Sequence, residues 1–294
     1  MRLIKDILKG ILIGIANIIP GVSGGTMAVS MGIYDQIIGS VTNLFKQFKK
    51  SMLTLLPYAI GMVIAIVGVS RIIEPMFEKY PLQTGSLFVG LILGGLPIIL
   101  KKVKGKGTDG IGLILFFFFF ALIIGLQIIG QKDSNNIEIQ LSVAEVMKLF
   151  FIGVLASATM VIPGVSGSMI LLTIGYYNPI LQTINRCTSA LSPFNRTELL
   201  NSIGILLPFG LGIVIGIFAI AKLIEFLLSR FEVKTFYAIL GLITASPIAI
   251  YMSVGVTTIN VTSVAVSIVT FGVGFIISFF LGGDESKAEC ILEG

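Results

Sequence analysis

Residues 110–130 run for 21 positions without a charge and include five consecutive phenylalanines, Phe116–Phe120. About 20 apolar residues in helical form match the roughly 30 Å depth of a bilayer's hydrocarbon. Comparable runs lie near 3–19, 26–44, 52–70 and 82–100, and again near 145–162, 169–185, 203–222, 236–252 and 262–281. Inside lipid only helices and closed barrels satisfy their own backbone. A barrel strand alternates over about ten residues, and these runs do not alternate. The expected class is therefore an all-α integral membrane protein. Composition agrees: 12% of residues are charged and mean hydropathy is +1.02, against about a quarter charged in soluble domains. The Phe116–Phe120 run is expected to face lipid.

The chain has no histidine, which removes His-based acid/base chemistry and the usual zinc sites. Its two cysteines, Cys187 and Cys290, form no CxxC pair or disulfide framework. No cofactor or metal is expected. The net charge of +5 is spread over short loops, which argues against a nucleic-acid partner and for loops that set orientation and touch membrane lipids. The stretch "KGKGT" at 104–108 lacks the frame of a phosphate loop. Asn195-Arg196-Thr197 matches a glycosylation acceptor, a pattern short enough to arise by chance.

Two stretches interrupt the apolar runs in the same way. "IIPGVSGGTMAVSMGIYDQII" occupies 18–38 and "VIPGVSGSMILLTIGYYNPIL" occupies 161–181. With Pro20 set on Pro163, a shift of 143, eight of nineteen positions from there on are identical. "LLPYAIGMVI" at 55–64 answers "LLPFGLGIVI" at 206–215 at a shift of 151, six of ten identical. An insertion of eight residues around 186–198 reconciles the two registers. The chain is a duplication, with about five hydrophobic segments per half. Residues 1–25 have the look of a secretory signal, but a cleaved peptide has no reason to recur downstream, so the segment is read as structural.

Basic loops stay cytoplasmic. Arg2, Lys5 and Lys9, then Lys46, Lys49 and Lys50, then Lys101, Lys102, Lys104 and Lys106 all fall on one side if the first two segments form a hairpin. The first half then ends outside and the second begins there, so the copies have inverted topology, as in many secondary transporters. The expected division is a first repeat at 1–130, an external linker at 131–144, a second repeat at 145–281 and a polar cytoplasmic tail at 282–294, disordered from Asp284. Both termini are expected in the cytoplasm.

Pro20 with Gly21, Gly24 and Gly25 should break the helix that arrives through Ile11–Ile19. A broken backbone survives in hydrocarbon only where protein or a watery cavity satisfies it, and a re-entrant helix hairpin at each motif is the expected form. Ser23 and Ser166 stand where N-caps stand. Helix ends there would offer amide groups to an anion. The expected phosphate-binding set is Gly21, Ser23, Gly24, Gly25 and Thr26 with Gly164, Ser166, Gly167 and Ser168. The alternative, a kink that lets helices pack closely, suffices for one copy but less well for two at matching positions.

Ionisable residues in the spans are costly and so informative. "SRIIE" at 70–74 matches "AKLIE" at 221–225. Arg71 and Lys222 read either as further contacts for the anion or as snorkelling cations paired with Glu74 and Glu225. Glu74, Glu225 and Asp35 are the candidates for a proton carrier. Asp35 also reads as an interfacial helix-end residue.

The doubled "PGVSG" element and the duplication across residues 1–281 resemble the bacterial polyprenyl-phosphate (undecaprenyl-phosphate) transporter family. The resemblance implies a multi-pass protein of the bacterial cytoplasmic membrane. Such a protein returns the lipid carrier of cell-wall synthesis from the outer to the inner leaflet. It places the motif positions at Pro20–Thr26 and Pro163–Ser168, with Gly25 and Thr26 replaced by Ser168 and Met169 in the second copy. The implied partner is a polyprenyl-phosphate lipid, and a homo-oligomer is left open. A carrier or channel for a small soluble anion would use the same helix ends. A lipid phosphatase would need histidine or a paired acidic cluster, and the chain offers neither.

Overall fold

The computed structural model describes residues 2–18, 22–69, 75–77, 79–105, 110–130, 139, 142–190, 194–254 and 260–292. Its regular elements there are helical: α1 (Arg2–Ile18), α2 (Gly24–Ser30), α3 (Tyr34–Thr42), α4 (Phe48–Ile64, prolonged by a π turn at Ala65–Val69), α5 (Pro81–Val103), α6 (Gly110–Gly130), α7 (Val143–Val161), α8 (Gly167–Thr173), α9 (Tyr177–Ser189), α10 (Arg196–Arg230), α11 (Glu232–Val254) and α12 (Val261–Leu292). Among the described residues, seven helices are long and apolar enough to cross a membrane: α4 with its π turn, α5, α6, α7, α10, α11 and α12.

The second expected segment of each half is split in two. Gly32 (φ 72°) separates α2 from α3, and Gly175 (φ 80°) separates α8 from α9. Both are glycine because other residues resist a positive φ. The bonding around them is the same. Gly32 N–H donates to Val29 O and Ile33 N–H to Ala28 O, just as Gly175 N–H donates to Leu172 O and Tyr176 N–H to Leu171 O. This is the Schellman termination, which satisfies the last carbonyls of a helix.

Other ends are equally local. Ser142 Oγ accepts from Glu145 N–H at 3.2 Å and starts α7. Asn195 Oδ1 accepts from Glu198 N–H at 3.2 Å and starts α10, which is the structural role of the residue in the apparent glycosylation pattern. Helix α12 continues to Leu292, where the polar composition suggests disorder. Pro57, Pro97, Pro208 and Pro247 sit inside α4, α5, α10 and α11, a placement that surrounding helices make tolerable in membranes.

Small residues set the packing. Helix α1 lies on α4, and α7 lies on α10. A Cβ on Gly10 or Gly61 would overlap the Tyr58 or Ile7 carbonyl across the first seam, and one on Gly153 or Gly212 would overlap the Phe209 or Phe150 carbonyl across the second. These glycines correspond at the shifts of 143 and 151 that relate the halves. Without a hydrophobic drive between helices in lipid, such backbone approach is what holds them. Helix α5 packs on α12 and on α11, which packs on α6. One buried cluster joins Val22, Met27 and Tyr34 to Val161, Ala221 and Ile243. Phe117 and Phe118 are exposed, as expected, whereas Phe116, Phe119 and Phe120 are partly buried and pack inward.

Candidate headgroup site

The two Gly- and Pro-rich stretches touch. Gly164 N–H donates to Thr26 Oγ1 at 2.6 Å, Tyr34 OH donates to the Val161 carbonyl at 3.0 Å, and Ser23 Oγ donates to the Thr159 carbonyl at 3.4 Å. Gly164 has φ 82°, which turns its N–H toward the first copy. Gly24 N–H donates to Asn17 Oδ1 at 3.0 Å, so the side chain that ends α1 caps α2. A Cβ on Gly24 would come within 2.6 Å of Asn17 Oδ1, and one on Gly167 within 2.7 Å of Thr159 Oγ1. The second glycine of each PGVSG thus makes room for a polar side chain from the helix before it.

Ser23 and Ser166 hold N-cap positions, but neither hydroxyl caps its helix. Ser23 reaches across to the other half, and Ser166 Oγ pairs with Ser168 Oγ at 3.0 Å. Helices α2 and α8 are seven residues each, too short for much macrodipole. The polar character of the place lies in its hydroxyls.

Two cavities flank the contact, each of about 310 Å³. The first is lined by Ser23, Thr159, Ser166, Gly167, Ser168 and Tyr177, backed by Ile180, Ile184 and Phe209. The second is lined by Gly24, Gly25, Ala28 and Tyr34, backed by Ile37, Val41 and Tyr58. Asn17 and Met160 line both, and these two residues correspond at the shift of 143. Tyr34 and Tyr177, Ile37 and Ile180, and Tyr58 and Phe209 also correspond. The cavities are built from equivalent positions, but the first collects serines from both copies of the motif.

Of the residues singled out from sequence, Ser23, Ser166, Gly167 and Ser168 meet at the first cavity, and Gly24 and Gly25 line its neighbour. Thr26 is fully buried and engaged by Gly164. Lys222 is exposed and Glu225 half-buried on α10, and neither is among the described residues that line these cavities. Asp35 is exposed and pairs with Lys102 at 3.5 Å, in keeping with the interfacial reading. Gly21, Arg71 and Glu74 lie outside the described residues.

Sequence reasoning missed Asn17, Thr159 and Gln127. Asn17 and Gln127 are polar residues inside apolar runs, which is the signal that could have found them. Gln127 is buried, donates to Ser253 Oγ at 2.5 Å, and leaves its Oε1 without a partner. It borders a gap of about 10 Å³ behind Gly164, Val165 and Ser166.

A family model described as undecaprenyl phosphate translocase-like matches residues 13–268. A Staphylococcus aureus protein named polyprenyl-phosphate transporter is 33% identical over 290 residues, covering 97% of this chain and 98% of that protein. A Vibrio cholerae protein of the same name is 28% identical over 256 residues, covering 82% of this chain and 75% of its own. No solved structure matches the chain.

Proposed function

The chain belongs to the undecaprenyl phosphate translocase-like family, and from that premise we propose that it carries a polyprenyl phosphate from the outer to the inner leaflet for re-use in cell-wall synthesis. The observation that carries the reading is the cavity lined by Ser23 of one motif and by Ser166 and Ser168 of the other. A phosphate headgroup crosses hydrocarbon only if something replaces its water, since a bare ion there costs several kcal/mol or more. The prenyl tail needs no such help. Three hydroxyls at the junction of the halves can donate to the phosphate oxygens once Ser23 releases the Thr159 carbonyl and the bond between Ser166 and Ser168 opens, so that all three turn to the ligand. Each bond to a charged group is worth about 1.5–3 kcal/mol.

Inverted repeats, divided at the 131–144 linker and with both termini in the cytoplasm, would let the halves rock about this junction and open it to each leaflet in turn. The matching glycine seams of α1 with α4 and α7 with α10 support that reading, since each would move as a rigid pair. Glu74 and Glu225 remain the candidates for proton coupling, and Arg71 and Lys222 for guiding the headgroup at the membrane faces.

The test is translocation of a labelled polyprenyl phosphate in proteoliposomes. The wild type should move it between leaflets, and the Ser166→Ala/Ser168→Ala double variant should slow it by roughly tenfold or more, in line with one to two lost charged hydrogen bonds. A folded wild-type protein that moves none would end this reading. Movement of short soluble phosphates at the same rate would replace it with a soluble-anion carrier.

A further inference from the structure

Resting on that reading of the headgroup site, we infer that the second, apolar cavity receives the isoprene units next to the phosphate and selects branched prenyl chains over straight ones. The polar groups around that cavity are already engaged. Tyr34 OH donates to Val161 O at 3.0 Å, Tyr58 OH lies 3.3 Å from Asp6 Oδ1, and Gly24 N–H is held by Asn17. What faces the space is Ile13, Ile37, Val41, Leu55, Met62 and Ile217, a wall of branched and flexible apolar side chains. The cavity beside it is also walled mainly by apolar side chains but carries the hydroxyls of Ser23, Ser166 and Ser168, and the two share Asn17 and Met160. An amphiphile with its phosphate among Ser23, Ser166 and Ser168 brings its first carbons to that common wall.

The occupant follows from this continuity. A prenyl phosphate is polar at one end and apolar from the next bond onward, and of the adjoining cavities of about 310 Å³ one holds three serine hydroxyls and the other holds no serine or threonine. Affinity does not come from hydrophobicity, because the tail leaves one hydrocarbon for another. Selection comes from shape: methyl branches fill a pocket between Ile, Val and Met side chains that a straight chain leaves partly empty. The fold itself indicates how to close the pocket. Ala28 lines the apolar cavity, and its counterpart across the halves is Leu171, which lines the serine-bearing one.

The experiment uses the intact protein in lipid nanodiscs holding a fluorescent polyprenyl phosphate. Farnesyl phosphate and straight-chain pentadecyl phosphate are added as competitors. The wild type should favour the branched competitor on the order of tenfold, the scale on which a pocket senses a methyl group. Ala28→Leu, and independently Ala59→Phe from the α4 wall, should abolish that preference while both phosphates still bind and thermal unfolding stays cooperative. A preference that survives in both filled variants, or is missing from the wild type, overturns the inference and leaves the headgroup reading standing. If neither phosphate binds the folded wild type, both readings are overturned. Native mass spectra that show a phospholipid held by the wild type and expelled by the filled variants would give the cavity to an ordinary acyl chain, and overturn the inference as well.

Discussion

The backbone N–H of Gly164 donates to the hydroxyl of Thr26 across 2.6 Å, joining positions 138 apart in sequence. Both groups are buried, so the bond is a direct tie between the two halves at the proposed headgroup junction. Thr26→Val keeps the shape and removes the acceptor. It should cost about 1–3 kcal/mol, the usual penalty for an orphaned buried donor. Thr26→Ser should recover most of it. Thermal unfolding of the two variants in one detergent checks this; equal stability would show that the tie contributes nothing.

Gly210 and Gly212 lie two residues apart on α10 with opposite surroundings. A Cβ on Gly210 meets nothing within 4 Å, whereas one on Gly212 runs into the Phe150 carbonyl of α7. Gly210→Ala should be neutral or stabilise by up to about 1 kcal/mol through helix propensity. Gly212→Ala should destabilise by about 1–3 kcal/mol through overpacking. The corresponding Gly61→Ala should behave like Gly212→Ala. Unfolding midpoints of the three variants decide the matter.

Gln127 makes one hydrogen bond and leaves one buried oxygen bare. Replacing it with methionine removes a bond worth about 0.5–1.5 kcal/mol and also a desolvation penalty of about 1–3 kcal/mol. Gln127→Met should therefore be neutral or stabilising. Ser253→Ala, which strands the amide that Gln127 donates, should destabilise by a similar penalty. Loss of stability in Gln127→Met would mean that Oε1 has a partner, such as a water in the gap behind Ser166.

Asp35 and Lys102 are 47% and 31% exposed at their side chains. An exposed ion pair contributes about 0–1 kcal/mol and less at high salt. Asp35→Asn should leave stability within about 1 kcal/mol of wild type and translocation within roughly a factor of two. A strong loss of transport with unchanged folding would restore Asp35 as a coupling residue.

The long helices could be read from their apolar runs because hydrocarbon imposes a length, and the break at PGVSG could be read because proline and glycine oppose a helix. Gly32 and Gly175 were visible as a matched pair, but not as helix terminators, since a positive φ has no signature beyond the glycine itself. The serines of the motif were found for the wrong local reason. They occupy cap positions, yet the Ser23 hydroxyl turns to Thr159 while Asn17 reaches α2 in its place, and the Ser166 hydroxyl turns to Ser168. Which side chain wins a cap is decided by the packing of α1 against α2, which no local pattern contains. The adjoining cavities were equally hidden, since each needs several helices of one half and a few residues of the other to be brought together.

Helix α10 has 35 residues, which at 1.5 Å each is about 52 Å of rod. Even inclined at about 40°, the steep end of what spanning helices adopt, it extends about 40 Å along the normal, beyond the roughly 30 Å of oil. Its ends therefore ride in the headgroup layers of both leaflets. Local thinning or thickening of the bilayer must act on this rod as a load, and through its glycine seam on α7, whose far end is the second PGVSG. Membrane thickness then becomes a mechanical load on the junction of the two motifs.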